Sequence, residues 1–460
     1  MDLIKTFLSI LSDAKKLDII DANYQLSRKD ANVLTIFSNI NILPKKGILI
    51  RFLSFFYRWF RSFLKFLFRR WEQIDHPKEN GTLVPYFIGN SYLAVLPVVN
   101  HLDTANLIQI GSSPELGMNS FRCHAISFLF LGSLIKSFRK ATSYQRVTMK
   151  YFFDQYWRSY GYYVLCRLYL QKYKQRAVLL SNDHSLPSRT ILLAARDEHI
   201  LTFYMQHAAI SKVLPPLIFD YALLEGKASA EQCLKNGATT TQMFICGIPR
   251  MDFSLKKQRT RDQIKTIGIA INALDDFLIA EKLGRQLKEK YPNKQFIFRP
   301  HPALSPKFDA FKSTYSEMDI VFSNPIQEHV SKFLEKIDLL VSGESNIHLE
   351  TILLNISSIY FACGGIRRDF YGFLEHKMIP ECTSIEAVIK QIDQLDANPT
   401  KNIRLHAKEY CGTIGTDYDG RSSELIAETI QSLLDSKKEP IKNSKWAVSN
   451  FCDHVYELKI

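Results

Sequence analysis

The sequence has no long uncharged hydrophobic run, and this sets its first limit. The apolar stretch from Met1 to Asp18 is broken by Lys5 and Asp13, and the aromatic-rich segment after Lys45 meets a basic residue every turn or two. Neither can span a bilayer. No small-residue cleavage site follows the first stretch, so no secretory signal is expected and the chain is placed in the cytoplasm. Paired cysteines are lacking as well. The eight cysteines stand singly, without CxxC or metal-ligand spacing, which points to a reducing compartment. Also missing are a Walker loop, a GxGxxG after a strand and a nucleophile elbow, together with internal repeats and low-complexity tracts.

What is present is a 460-residue chain, 46% hydrophobic and 23% charged. It is too long for one ordinary core and suits two α/β units plus an extra segment. Its formal charge of +13 implies an anionic partner: lipid headgroups, nucleic acid or a phosphorylated substrate. Neither a Gly/aromatic RNA-binding signature nor a helix-turn-helix pattern accompanies the charge, so nucleic acid is set aside.

The charge concentrates between Lys45 and Trp71. On a helix Arg51, Arg58, Arg61, Lys65 and Arg69 fall on one stripe, with Phe, Leu and Trp side chains, Trp59 among them, around the rest of the circumference. That is the composition of a helix lying in a membrane interface. Each basic residue near an anionic leaflet contributes about 1 kcal/mol, enough in sum to hold the chain there. The plainer alternative packs the aromatic face on the body and shows the basic stripe to water.

Residues 1–80 read as a helical accessory segment. From 81 to about 255, short apolar runs such as Leu83 to Ile88, Leu107 to Ile110 and Ala177 to Leu180 alternate with amphipathic segments, as βα units around a parallel sheet do. A charged connector near 256–262 follows. A second series then runs over 262–437, with strands expected at Thr266 to Ile271, Gln295 to Phe298, Ile320 to Phe322, Leu339 to Val341 and Ser358 to Phe361. A helix from Ser422 to Lys437 is expected to close this Rossmann-like unit, leaving 438–460 as a tail that could cross back to the first unit.

In open α/β sheets ligands sit at the carboxyl ends of strands, and four such places carry polar residues. After the strand at 295 come Arg299-Pro300-His301-Pro302, where two prolines stiffen a turn that can aim an arginine and a histidine at a phosphate. After the strand at 339 come Ser342-Gly343-Glu344-Ser345 and then Glu350. The serines can cap a helix whose amides face a phosphate, Gly343 permits close approach, and Glu344 or Glu350 can take a ribose hydroxyl. In the first unit Asp183 and His207 follow strands and are candidates for a general base, with His207 preferred. Each of these places has a structural reading too: punctuation, an ordinary cap or a satisfied polar group. Asp417-Tyr418-Asp419 resembles a metal-binding pair but reads as a turn before the Ser422 helix.

At these residues a family resemblance enters. Gln206-His207-Ala208, Pro215-Pro216, Phe219-Asp220-Tyr221, Gly226, Gly237 and Gly247-Ile248-Pro249-Arg250-Met251-Asp252 resemble the first-domain pattern of bacterial capsule and teichoic-acid transferases of GT-B architecture. Arg299-Pro300-His301-Pro302 and Ser342-Gly343-Glu344-Ser345 look like the His-Pro and serine motifs of polysialyltransferases, capsule Kdo transferases and CDP-glycerol glycerophosphotransferases. The resemblance covers roughly residues 177–365, and the order of the motifs is more specific than any one of them. Where relatives often have His-Gly this chain has His207-Ala208, which keeps the backbone farther from substrate.

The resemblance implies an α/β, GT-B-like fold of two facing Rossmann-like domains and a metal-independent glycosyltransferase needing no cofactor. Its donor would be a nucleotide-activated sugar, CMP-linked being one candidate, held by His301, Ser342 and Ser345. Its acceptor would be a surface polysaccharide or glycolipid, with His207 or Asp183 as base and the chain peripheral at the inner face of the cell membrane. Rival readings are a CDP-glycerol or CDP-ribitol phosphotransferase, a nucleotide-sugar epimerase and a non-catalytic membrane-bound assembly partner.

Overall fold

The computed structural model describes residues 2–17, 48–68, 78–86, 89–109, 120–142, 145–146, 149, 153–182, 186–210, 214–256, 263–272, 275–364, 369–399, 402–435 and 445–459. Asp183, Arg69 and most of the connector, 257–262, lie outside these. For Arg51, Arg58 and Lys65 only the backbone is described.

Two helices come first, α1 (Asp2–Lys16) and α2 (Ile48–Phe68). The first unit continues with β1 (Thr82–Tyr86), α3 (Gly89–Val99), β2 (Ala105–Gln109), α4 (Ser120–Ser127), a 3-10 turn at Phe128–Phe130, α5 (Leu131–Lys140), α6 (Phe153–Lys172), β3 (Ala177–Leu180), α7 (Leu186–Asp197), β4 (Leu201–Met205), β5 (Tyr221–Leu224), α8 (Lys227–Asn236) and β6 (Gln242–Ile245). The second has β7 (Thr266–Ile271), α9 (Phe277–Lys290), β8 (Gln295–Pro300), α10 (Phe308–Glu317), β9 (Val321–Phe322), α11 (Val330–Lys336), β10 (Leu339–Ser342), α12 (Ile347–Leu353), β11 (Ser357–Tyr360) and α13 (Ile385–Ala397). The chain ends with α14 (Ser422–Asp435), β12 (Trp446–Ser449) and β13 (Cys452–Leu458).

The first sheet has the order β12-β13-β6-β5-β4-β3-β1-β2, parallel except where β12 pairs antiparallel with β13. The second is fully parallel, β11-β10-β7-β8-β9. Strands such as β3, β7 and β10 are buried along their whole length, which is why they read as unbroken apolar runs: helices cover both faces of a parallel sheet.

The N-terminal helices belong to the first unit. Ile10 and Ala14 of α1 enter its core beside Tyr160, Tyr163 and Leu170 of α6, and Asp13 pairs with Arg167 at 2.7 Å. Helix α2 lies against α4 through Trp59 and Phe63, which meet Phe121 at 5.3 and 5.0 Å between ring centres. Phe55 packs on His124 and Trp157. Trp59, expected to meet lipid, therefore faces protein, because its side of α2 supplies the aromatic packing. Leu49, Phe52, Leu53, Phe56, Tyr57, Phe60 and Leu67 stay exposed. The helix thus divides its aromatic circumference between body and surface.

The helix expected to close the second unit does not do so. Helix α14 packs on the first sheet, where Leu425, Ile426 and Ile430 join Val84, Phe203 and Phe244 in one cluster. Its first two amides are capped from the first unit by Asp252, which accepts from Ser422 N at 2.9 Å and Ser423 N at 2.8 Å. The Met251-Asp252 end of the motif after β6 is the fastening point of this crossover.

Candidate functional site

Register places the polar loops of the second unit side by side. Ser342 of β10 and Arg299 of β8 both flank Ala270 of β7, so the loops after these three strands leave one carboxyl edge. The loops at 301 and 343 stand on either side of the β7 loop, two strand spacings apart, about 10 Å. The β7 loop ties to both: His301 N donates to Ile271 O at 2.8 Å, and Asn272 Nδ2 donates to Glu344 O at 2.9 Å.

His301 is exposed on this edge. Its Nδ1 accepts from Ala303 N at 3.1 Å and caps the turn Pro302–Lys307. That bond puts the ring proton on Nε2, leaving a donor for a ligand oxygen. Partial burial holds the imidazole below its usual pKa, favouring this neutral form.

Arg299 does something else. Its buried guanidinium donates to Ser323 Oγ at 2.7 Å and Glu328 O at 2.8 Å and lies 5.3 Å above the Phe333 ring. It pins the segment between β9 and α11 rather than reaching the edge. One residue short of the strand's end, its side chain points into the layer beside the sheet, and here that layer supplies acceptors.

In the 343 loop, His348 does the anchoring. The ring is fully buried, with Nε2 2.9 Å from Gly343 O and Nδ1 2.6 Å from Ser358 Oγ. Burial lowers its pKa to about 4, so the neutral ring donates to Gly343 and accepts from Ser358. Gly343 has no room for a side chain, since a Cβ would stand 2.6 Å from Asp275 Oδ1. Ser342 is buried at the strand end, and Ser345 Oγ accepts weakly from Ile347 N at 3.4 Å.

Two carboxylates flank this loop. Asp275 is buried, accepts from Asn272 N at 2.8 Å and is pushed up to about 6 by burial, with Glu344 adding repulsion. Glu344 accepts from Phe370 N at 2.8 Å and Tyr360 Oη at 3.2 Å, and burial raises it too. Glu344 Oε1 thus holds the segment after 369, while Oε2 is engaged with the end of β11.

Glu350 faces the first unit. Its Oε1 lies 3.6 Å from Arg250 Nε, and Arg250 also pairs with buried Glu225. Burial pushes Glu225 up while the guanidinium draws it back. Gln206 closes the chain, accepting from Glu225 N at 2.9 Å and donating to Glu225 Oε2 at 3.1 Å. The first unit's base candidate His207, half-buried on the same loop, follows directly. That loop meets the second unit at a cavity of about 20 Å³ lined by Ala209, Ile210, Tyr371, Gly372 and His376. The segment tied to Glu344 thus abuts the loop carrying His207.

A roomier cavity, about 470 Å³, lies among β11, α12 and α13, lined by Ser358, Lys377, Met378, Gln391 and His406 among others. All its walls come from the second unit. Asp419 is used locally, paired with Arg404 and accepting from Gly415 N at 3.2 Å. Among the described residues no helix is long and apolar enough to cross a membrane.

Sequence reasoning missed Asp275, His348, Glu225 and Arg250 as site builders. Arg250 stood inside a motif singled out for its order alone, and His348 sat unnoticed within the apolar repeat of α12.

Two Rossmann-like parallel sheets, joined by a crossover helix and meeting at their loops, define the GT-B fold. No protein-family model matches the sequence, and no curated protein matches it. Among solved structures the chain is similar to the UDP-GlcNAc 2-epimerase of Neisseria meningitidis bound to UDP-GlcNAc, with 15% identity, 76% of this chain and 100% of that one covered, and a TM-score of 0.52. A second UDP-N-acetylglucosamine 2-epimerase aligns at 12% identity over 80% of this chain and 100% of the other, with a TM-score of 0.50. At such identities the likeness is one of fold.

Proposed function

We propose that the chain is a GT-B glycosyltransferase that moves a sugar from a nucleotide-activated donor, CMP-linked as the first candidate, to a surface polysaccharide or glycolipid. It works on the cytoplasmic face of a bacterial cell membrane, with the exposed side of α2 on anionic lipid. One observation carries this reading: the loops after β7, β8 and β10 share one carboxyl edge, with His301 presenting a neutral Nε2 donor on one side of the β7 loop and the close-packed Gly343 backbone on the other. The donor's phosphates bind there, and His301 stabilises the charge on the leaving group. Across the cleft His207 or Asp183 takes the acceptor's proton. Closure of the cleft keeps water from the activated donor.

A second reading, a nucleotide-sugar epimerase, rests on the fold likeness to two 2-epimerases, one of them bound to UDP-GlcNAc. It uses the same donor edge and needs no acceptor. A phosphotransferase acting on CDP-glycerol or CDP-ribitol would differ in product linkage.

The test is a panel of CMP-, CDP- and UDP-activated donors, scored by thermal stabilisation and then by product mass with and without a glycan acceptor. A glycosidic product that requires acceptor supports the transferase. An isomerised donor formed without acceptor makes it an epimerase, and a phosphodiester product makes it a phosphotransferase. Donor turnover unchanged in His301→Ala, or no donor bound at all, removes the proposed site.

A further inference from the structure

Among the described residues the first unit carries a second apolar face without a partner, formed by residues far in sequence from α2. In the turn Phe128–Phe130 and helix α5, Phe128 and Ile135 are each 52% exposed, Leu129 62% and Leu131 42%. On α5 the apolar residues divide by face: Leu134 and Phe138 pack into the core, while Leu131 and Ile135, one turn apart, point outward. A helix on a water-facing surface carries polar residues at such outward positions.

This face joins α2. Phe128 stacks edge-on against Trp157 at 4.5 Å, and Phe55 of α2 meets the same indole at 6.1 Å. Ser133 Oγ donates to Lys15 O at 3.4 Å, bringing the end of α1 alongside. The charge is one-sided. Residues 48–68 and 120–140 contain no Asp or Glu. Lys136, Arg139 and Lys140 are carried by α5 alongside and just beyond the apolar stripe, all three of them exposed. Leu131 and Lys140 are about 14 Å apart along the helix. With the Phe128 end lowered into acyl chains, the three cations reach headgroup depth.

We propose that the turn and helix from Phe128 to Ile135 form a second lipid-insertion element, which together with α2 seats the first unit on an anionic bilayer at two points. An anionic membrane is the occupant because apolar tips backed by unopposed cations match acyl chains beneath acidic headgroups. The inference rests on the membrane placement of α2 proposed above, and the test separates the two.

The full chain is sedimented with phosphatidylcholine vesicles, with and without phosphatidylglycerol. Wild type is compared with a tip variant (Phe128→Asp with Leu129→Asp) and an α2 variant (Phe56→Asp with Phe60→Asp). Each pair is expected to weaken binding to anionic vesicles at least about tenfold, with nucleotide-induced thermal stabilisation unchanged. Loss in both variants supports the inference, whereas loss in the tip variant alone overturns the two-point seating and the α2 reading with it. Loss in the α2 variant alone overturns the inference and leaves the α2 reading standing. Wild-type binding by both overturns both.

Should the tip variant fail to fold, an environment-sensitive fluorophore on L129C in a Cys452→Ser background reports insertion in its place. A blue shift quenched by lipid-borne quenchers supports insertion. Unchanged emission, or a shift that follows self-association without lipid, refutes it.

Discussion

Arg250 and Glu350 form an ion pair across the two units, with Arg250 Nε 3.6 Å from Glu350 Oε1. Glu225, almost wholly buried, holds the other side of the guanidinium, so Arg250 balances one carboxylate of its own unit and one of its neighbour. Removing it strands Glu225. Arg250→Met is expected to cost about 3–5 kcal/mol in urea unfolding. Glu350→Gln, which leaves the inner pair whole, should cost about 1 kcal/mol or less. Small-angle scattering should show the Glu350 variant more open than wild type in the absence of donor. Equal urea midpoints for Arg250→Met and wild type would mean that Glu225 is not charged in the folded protein.

Asp275 gives the carboxyl edge of the second sheet a pH dependence. Its pKa stands near 6, above the ordinary carboxyl value, so folding favours the protonated form. The stability this contributes is present below about pH 4 and is lost as pH rises through 6. Asp275→Asn should therefore be more stable than wild type above pH 6, by up to about 3 kcal/mol, and the difference should vanish near pH 4. A donor phosphate bound beside Gly343 meets the same carboxylate. Nucleotide affinity in wild type should fall as pH rises through 6, and in Asp275→Asn it should stay flat over that range. Calorimetric titration at pH 5.5 and 7.5 checks both.

Much of the second unit was legible because parallel strands buried on both faces leave unbroken apolar runs. The runs at Thr266, Gln295 and Leu339 became β7, β8 and β10 within a residue or two. The same logic located the polar loops, since strand ends mark the carboxyl edge. It could not show which way a side chain points from that edge. Arg299 and His301 are two residues apart and read alike, yet one is sunk against Phe333 and the other is exposed. Long-range capping was also invisible. The helix starting at Ser422 read as the element that closes the second unit, whereas the Ser422 amide is satisfied by Asp252 far away in sequence, which draws α14 onto the first sheet. Likewise an amphipathic pattern in α2 could not reveal that Trp59 finds Phe121.

The Arg299 and His301 contrast is testable as a reversal of effects. Arg299→Lys loses the fork to Ser323 and Glu328 and should lower stability by about 2–4 kcal/mol, while the folded fraction binds donor nucleotide as wild type does. His301→Ala should leave the melting temperature within a degree or two, because its ring is exposed, yet weaken nucleotide binding about tenfold by removing one donor to phosphate. Thermal melts and equilibrium binding on the same preparations compare the two. Matching losses of stability and affinity in both variants would refute the division of roles.

Gly226 supplies a test of how the units are held together. Ala228 N donates to Glu409 O at 2.8 Å, and Gly412 N donates to Glu225 O at 2.9 Å, so the chain returning to the first sheet pairs with the backbone on either side of Gly226. A Cβ at 226 would stand 2.4 Å from Glu409 O, against backbone that cannot turn aside as a side chain can. Gly226→Ala should break this pairing while leaving both sheets intact. Amides at 228 and 412 should then exchange hydrogen faster, by at least about tenfold, while those of β7 and β10 exchange as before. Protease should cut sooner within 402–421 of the variant. Wild-type protection at 228 and 412 would show that the returning segment is held by α14 and Asp252 alone.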